Sequence, residues 1–161
     1  MARRIYIVGP TGSGKSYLGR RLCEALGTTL VEGSSWVRAL TGRWDHGPEA
    51  SRYLSEVSAR ELHQDPHVSL RKLIELTADE GQDYVIAGLR NPVDFIGLWE
   101  RHQGVSILLT GEATSEFERV GIEAILTYLH QVGHPPDLIL RRGEYDFDAV
   151  LSKISDLHAR S

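Results

Sequence analysis

Gly9-Pro10-Thr11-Gly12-Ser13-Gly14-Lys15-Ser16 decides how this chain is read. The run has the spacing G-x-x-x-x-G-K-[ST], that of a phosphate-binding loop. Ile5–Val8 before it is apolar and Tyr17–Leu26 after it is amphipathic, so the loop joins a strand to a helix, as the motif requires. The β and γ phosphates of a nucleotide carry dense negative charge. Backbone N–H groups must wrap them, and a Cβ at the tight positions blocks that approach. Gly9, Gly12 and Gly14 remove the obstruction. The helix beginning near Lys15 turns its N-terminal dipole and free N–H groups towards the phosphates. Lys15 adds a point charge at the β and γ oxygens, and the Ser16 hydroxyl faces Mg²⁺. The expected donor site is therefore Gly12, Ser13, Gly14, Lys15, Ser16 and Tyr17, taking ATP with Mg²⁺, with Ser16 as the metal-facing residue.

The chain has 161 residues, of which 41% are hydrophobic, enough for one domain with its own core. No repeat, low-complexity tract or linker divides it. No apolar run nears the ~18 residues of a membrane span. Met1-Ala2-Arg3-Arg4 leads into four apolar residues, too few for a leader's apolar region. Cys23, beside Leu22 and Leu26, is the single cysteine, so no internal disulfide framework exists and a small core residue is expected. These features predict a cytoplasmic protein with no membrane partner; nothing in the sequence sets its oligomeric state. The net charge of −4 argues against a broad nucleic-acid surface, though not against a local basic patch. His63 and His67, and His130 and His134, are spaced i,i+4. Pro66 and Gly133 interrupt both helical frames, so surface histidines are expected.

Short β-type runs alternate with helical ones, the pattern of a parallel sheet covered on both faces. The strands are expected at Ile5–Val8, Thr29–Glu32, Tyr84–Ala87, Ser106–Leu109 and Leu138–Leu140. Helices are expected at Lys15–Leu26, Glu49–His63, Leu70–Asp79, Val93–His102, Ser115–Val132 and Asp148–Leu157. Gly33–Pro48, with Gly42 and Gly47, and Gln64–His67 read as loops.

The loop alone does not separate switches, motors and kinases. The chain lacks N-K-x-D for guanine and an apolar run ending in Asp-Glu, which favours a compact kinase. Gly33-Ser34-Ser35-Trp36-Val37-Arg38 resembles the segment S-T-G-D-L-L-R after the second strand of nucleoside monophosphate kinases. Val85-Ile86-Ala87-Gly88-Leu89-Arg90 resembles that family's L-D-G-F-P-R. It is closer to the D-G-[IL]-R-N-P variant of phage-type deoxynucleotide kinases and their dephospho-coenzyme-A-kinase-like relatives. Pro136–Leu140, Gly143 and the Asp146–Ile154 helix resemble the family's last strand and adenine-contacting loop. The resemblance runs in order along nearly the whole chain. It implies the α/β, three-layer P-loop NTPase fold, with a parallel five-stranded sheet and helices on both faces. It further implies an acceptor-side insertion at about 33–80 and a short lid at about 111–132 in a single domain spanning 1–161.

The resemblance assigns Arg38 and Arg90 to the acceptor's phosphate. Two phosphorylated substrates repel each other by several kcal/mol at ~4 Å, even at an effective dielectric near 20, and bidentate Arg forks offset that repulsion. The alternative for each is a solvated arginine. Two positions depart from the pattern: the family's metal-side Asp is Ala87 here, and the lid region holds only Arg119. Arg119 is either the remaining finger or a partner of Glu116 or Glu123, with Arg141 or Arg142 as further cations. Glu32 ends the second strand, where it either takes a proton from an alcohol acceptor or pairs with Arg38. Ser35 and Trp36 are expected at the acceptor, with a core role as the alternative for Trp36. The expected catalytic set is thus Lys15, Glu32, Arg90 and Arg119, and the acceptor set Ser35, Trp36, Arg38 and Arg90.

Three activities follow as expectations. The first is ATP-dependent phosphotransfer to a (deoxy)nucleoside monophosphate. The second is transfer to the hydroxymethyl group of 5-hydroxymethyluracil in phage DNA, in the host cytoplasm, with Arg38, Arg43, Arg52 and Arg60 lining a groove and Thr41–Pro48 as an added loop. The third is a nucleotide-binding regulator without catalysis.

Overall fold

The protein is described from a computed structural model, which covers residues 3–160. The reading of Met1-Ala2-Arg3-Arg4 as no leader falls partly on Met1 and Ala2, outside the described residues. Five parallel strands form one sheet in the order β2-β3-β1-β4-β5. They are β1 Arg4–Val8, β2 Thr29–Glu32, β3 Tyr84–Ala87, β4 Val105–Thr110 and β5 Leu138–Arg141. The helices are α1 Lys15–Leu26, α2 Ser35–Thr41, α3 Pro48–Gln64, α4 Val68–Leu76, α5 Pro92–Arg101, α6 Glu116–Gln131 and α7 Phe147–Ala159.

Every residue of β1 and β3 is buried, because both faces of the sheet are covered. The pleat sends alternate side chains to opposite faces. Ile5 and Ile7 pack with Leu18 and Leu22 of α1 and Val150 and Ile154 of α7. Tyr6 and Val8 pack on the other face with Phe95, Trp99, Ile122 and Ile125 of α5 and α6. Tyr6 lies 5.4 Å from Phe95 and 5.3 Å from Trp99, ring to ring. Its hydroxyl donates to His102 O, so the ring is buried without an orphaned polar end. Arg4 is also buried; its guanidinium donates to Gln82 O and Thr77 O and lies 4.6 Å over the Tyr84 ring.

The expected strands all form, with ends shifted by a residue. The clear departure is α2, which replaces the first half of the expected Gly33–Pro48 loop. Ser35, Trp36 and Val37 of that seven-residue helix are buried. Its apolar stripe is too short to show a helical period, and only its packing against α3 and α4 reveals it. Segment 111–132 is mostly the continuous helix α6, whose Ile122, Ile125 and Leu129 are in the core. Of the stretch expected as a short lid, Glu116–Gln131 is this helix and 111–115 lies before it. Cys23 is only partly buried, with its Sγ accepting from Thr28 Oγ1 at 3.2 Å. The four paired histidines are exposed.

The chain leaves β3 for β4 across β1, on the face opposite α1. The carboxyl ends of β1 and β3 therefore open into a crevice, where open α/β sheets bind ligands. Glu32 is the register partner of Ala87 at that edge. Gly33 then touches the turn after β3, where an added Cβ would lie 2.3 Å from Gly88 O. Only glycine lets the two strand ends come this close.

Candidate functional site

A cavity of about 330 Å³ opens at this edge, bordered by Gly12, Gly14, Lys15, Ser16 and Tyr17 on one side and by Glu32, Ala87, Arg90 and Arg142 on the other. Gly12 and Gly14 hold left-handed backbone, with φ of 82° and 95°. That geometry turns the N–H groups inward, and the first amides of α1 have no intrahelical acceptor. Lys15 Nζ donates to Pro10 O at 2.7 Å. Burial lowers its pKa, with Arg90 adding to the effect and Glu118 opposing it. An anionic ligand at the loop would counter both effects by its charge. The Ser13 hydroxyl is buried without a partner among the described residues. Arg142 donates to Gly12 O at 3.2 Å and lays its stem along Gly14, so it is the β5-end cation at the loop. Arg141 instead pairs with Glu144 at 3.0 Å.

The loop is anchored by a residue that the sequence reading passed over. Glu118 is 1% exposed. Its carboxylate accepts from Thr11 N at 3.1 Å, Thr11 Oγ1 at 2.6 Å, and Thr114 N and Oγ1 at 3.1 and 3.3 Å. Arg90 Nη1 lies 3.4 Å from the same group. Burial pushes the Glu118 pKa up, but these hydrogen bonds and Arg90 outweigh it and hold the carboxyl at about 2. Ser115-x-x-Glu118 before an apolar run is a capping-box signal. The Ser115 hydroxyl does accept from Glu118 N at 3.1 Å, but the carboxylate reaches across to the loop instead of back to its own helix start. That diversion is tertiary and has no signature in the spacing.

A second cleft, of about 540 Å³, adjoins the first. Gly33, Ser34, Gly88 and Arg90 border both. Glu32 lies in the first cavity, half-buried, and its carboxylate has no hydrogen bond or ion pair with any described residue. The pairing with Arg38 is absent. Arg38 borders the second cleft but donates to Arg43 O and Asp45 O at 3.3 and 2.8 Å, fastening the loop after α2. Arg90 is half exposed and stands between the two cavities. Ser35 Oγ accepts from Glu32 N at 2.9 Å, so this serine orients the strand end. Trp36 is 4% exposed and belongs to the core, with one edge on the second cleft.

Arg119 is not brought to the phosphate cavity. It pairs with Glu116 and, at 2.8 Å, with Glu123 on the outer face of α6. Its i,i+3 and i,i+4 neighbours are a helix turn away, while the loop is not. Two of the four arginines expected along a groove face carboxylates: Arg43 pairs with Asp45 at 2.9 Å, and Arg60 lies 3.9 Å from Glu61. No group of three or more His, Cys, Asp or Glu able to hold a metal occurs among the described residues. Mg²⁺ fits such a site, because it keeps waters and substrate phosphates and needs few protein ligands. No described helix is long and apolar enough to cross a membrane.

Residues 5–106, more than half of the chain, match the AAA domain family. The chain belongs to the AAA domain family. Its phosphate-binding loop and five-stranded parallel sheet give this AAA domain the P-loop NTPase fold. A shikimate kinase of Psychrobacter arcticus is 35% identical over 72 residues, 41% of this chain and 39% of that protein. The chain thus matches about two fifths of this curated relative's length. The solved shikimate kinase of Acinetobacter baumannii, in complex with shikimate, superimposes with a TM-score of 0.56 at 18% identity, covering 99% of this chain and 94% of that one. That of Aquifex aeolicus gives 0.57 at 17% identity, covering 97% and 96%. Both share the fold of this AAA domain.

Proposed function

We propose that the protein is an ATP-dependent phosphotransferase that moves the γ-phosphate to a hydroxyl of a small-molecule acceptor. The observation that carries this reading is the shared wall of the two cavities. A donor held on Gly12–Ser16 and an acceptor in the second cleft meet across Gly88 and Arg90, with the unpaired Glu32 carboxylate beside them. A hydroxyl loses its proton to Glu32 as its oxygen forms the new P–O bond. The bond between the γ-phosphorus and the bridging oxygen breaks, and ADP leaves with that electron pair. Lys15, Arg90 and Arg142 balance the charge spread over the transferring group, so the protein contributes chiefly positioning and electrostatics. Ser16 would hold Mg²⁺, which supplies neutralising charge at the phosphates.

An alcohol acceptor is favoured over a nucleoside monophosphate because the second gripping arginine, Arg38, is spent on loop carbonyls. The relatives support the same class. They are shikimate kinases, and shikimate is a hydroxylated ring carboxylate. Arg38, Arg43 and Arg60 are engaged by carbonyls or carboxylates, which disfavours a DNA groove. The test is transfer of label from γ-labelled ATP with Mg²⁺ to acceptors of each class. Glu32→Gln is expected to cut kcat by about 10²–10⁴ while ATP affinity holds. Unchanged turnover in that variant would remove Glu32 from the chemistry.

A further inference from the structure

The second cleft has a floor that phosphotransfer itself does not need. Asp94, in the first turn of α5, is 5% exposed and borders the cleft. Its Oδ1 accepts from the fully buried Ser69 hydroxyl at 2.6 Å. Its Oδ2 receives no hydrogen bond from any described residue. Asp94 borders the cleft, so a carboxylate oxygen without a protein donor is an acceptor open to a ligand's hydrogen bond there. Burial pushes its pKa up to about 6, against the Ser69 hydrogen bond and the charge of His67.

Helix α3 lines the same cleft with both apolar and hydroxyl side chains, Leu54 and Leu62 beside three serines. Ser51, Ser55 and Ser58 recur at i, i+4 and i+7 on α3, so they share one helix face, and all three border the cleft. Hydroxyls both donate and accept, whereas the carboxylate only accepts. Phe117, 77% exposed at the start of α6, places an apolar ring at the rim. Arg38 and Arg90 also border the cleft, so a matching ligand carries several hydroxyls around a compact frame, with one apolar face and room for a negative charge near the arginines.

Resting on the phosphotransfer reading, we infer that Asp94 is a specificity-determining residue that accepts a hydrogen bond from a hydroxyl of a polyhydroxylated small-molecule acceptor lying between it and the α3 serines. Ser69 holds the carboxylate by Oδ1 and leaves Oδ2 as the oxygen open to a ligand.

The full chain is given γ-labelled ATP and Mg²⁺ with shikimate, D-gluconate, myo-inositol or D-glucosamine as polyol probes, and AMP or dTMP as nucleotide probes. Label is expected in at least one polyol. For that compound KM is expected to rise about tenfold in Asp94→Asn and about a hundredfold in Asp94→Ala, with the KM for ATP unmoved. Ser55→Val, on an exposed helix face, raises the same KM severalfold without touching the core. Label confined to AMP or dTMP, or an acceptor KM unchanged in the Asp94 and Ser55 variants, overturns this assignment and leaves phosphotransfer standing. No label in any compound, with ATP still bound, overturns phosphotransfer and the assignment together.

Discussion

Glu118→Ala tests whether one buried carboxylate holds the phosphate-binding loop in shape. The substitution leaves the Thr11 and Thr114 amides without their acceptor and strips Arg90 of its partner. Each abandoned donor costs about 1–2 kcal/mol where water has partial access, and the lost charged bonds bring the total to about 2–4 kcal/mol. For a chain of this size that lowers the unfolding midpoint by about 5–15 °C. Glu118→Gln keeps one carbonyl oxygen for the two amides but loses the charge and the oxygen that accepts from Thr11 Oγ1 and Arg90, so about 1–2 kcal/mol is expected. Calorimetry at neutral pH reads both variants, and titration with ATP reads the loop, whose affinity falls because Thr11 lies within it. The pH dependence adds an internal check. The folded carboxyl titrates at about 2, below its ordinary 4.5. Its contribution is therefore complete above pH 4.5 and is lost as the pH falls towards 2. The gap between wild type and Glu118→Gln must close over that range. A Glu118→Ala midpoint within about 2 °C of wild type, or equal effects of Ala and Gln, would refute the anchoring argument.

Lys15→Ala removes the point charge at the β and γ oxygens and is expected to lower transfer by at least about a hundredfold, measured with labelled ATP. Arg119→Ala is expected to leave kcat and both KM values unchanged, since its partners are Glu116 and Glu123; a loss of kcat would return it to the site. Arg90→Ala is expected to raise the acceptor KM far more than the KM for ATP, because the side chain stands between the cavities; equal rises would contradict that placement. Asp94 has the opposite pH sign to Glu118. Its folded pKa of about 6 exceeds the ordinary 3.8, so its ionisation costs stability as the pH rises from about 4 through 6. Asp94→Asn should therefore melt above wild type at pH 8 and lose that advantage at pH 4.

Reading outward from Gly9–Ser16 reached the sheet, its covering helices and the donor half of the site, because each rests on a local pattern. Buried strands are apolar along their length, α1 shows its stripe, and the loop's glycines and lysine sit at fixed offsets. Glu32 and Arg90 were reachable for the same reason: each ends, or closely follows, a strand at the sheet's carboxyl edge. The acceptor half was harder. Arg38 has the right position in sequence, yet its guanidinium turns to the carbonyls of Arg43 and Asp45. Arg119 stands in the right region, but its helical neighbours claim it. Both outcomes depend on which partner lies within reach after folding.

The sequence alone determined that this chain carries a phosphate-binding loop between a strand and a helix of a parallel α/β sheet. The motif and the apolar periods are contiguous, and contiguous patterns survive in one dimension. Only the tertiary structure set Glu118 against Thr11, Glu32 beside Ala87, and Asp94 and the α3 serines on one cleft. These residues are brought together by strand crossovers and by the packing of α5 and α6 on the sheet. No spacing along the chain encodes that proximity.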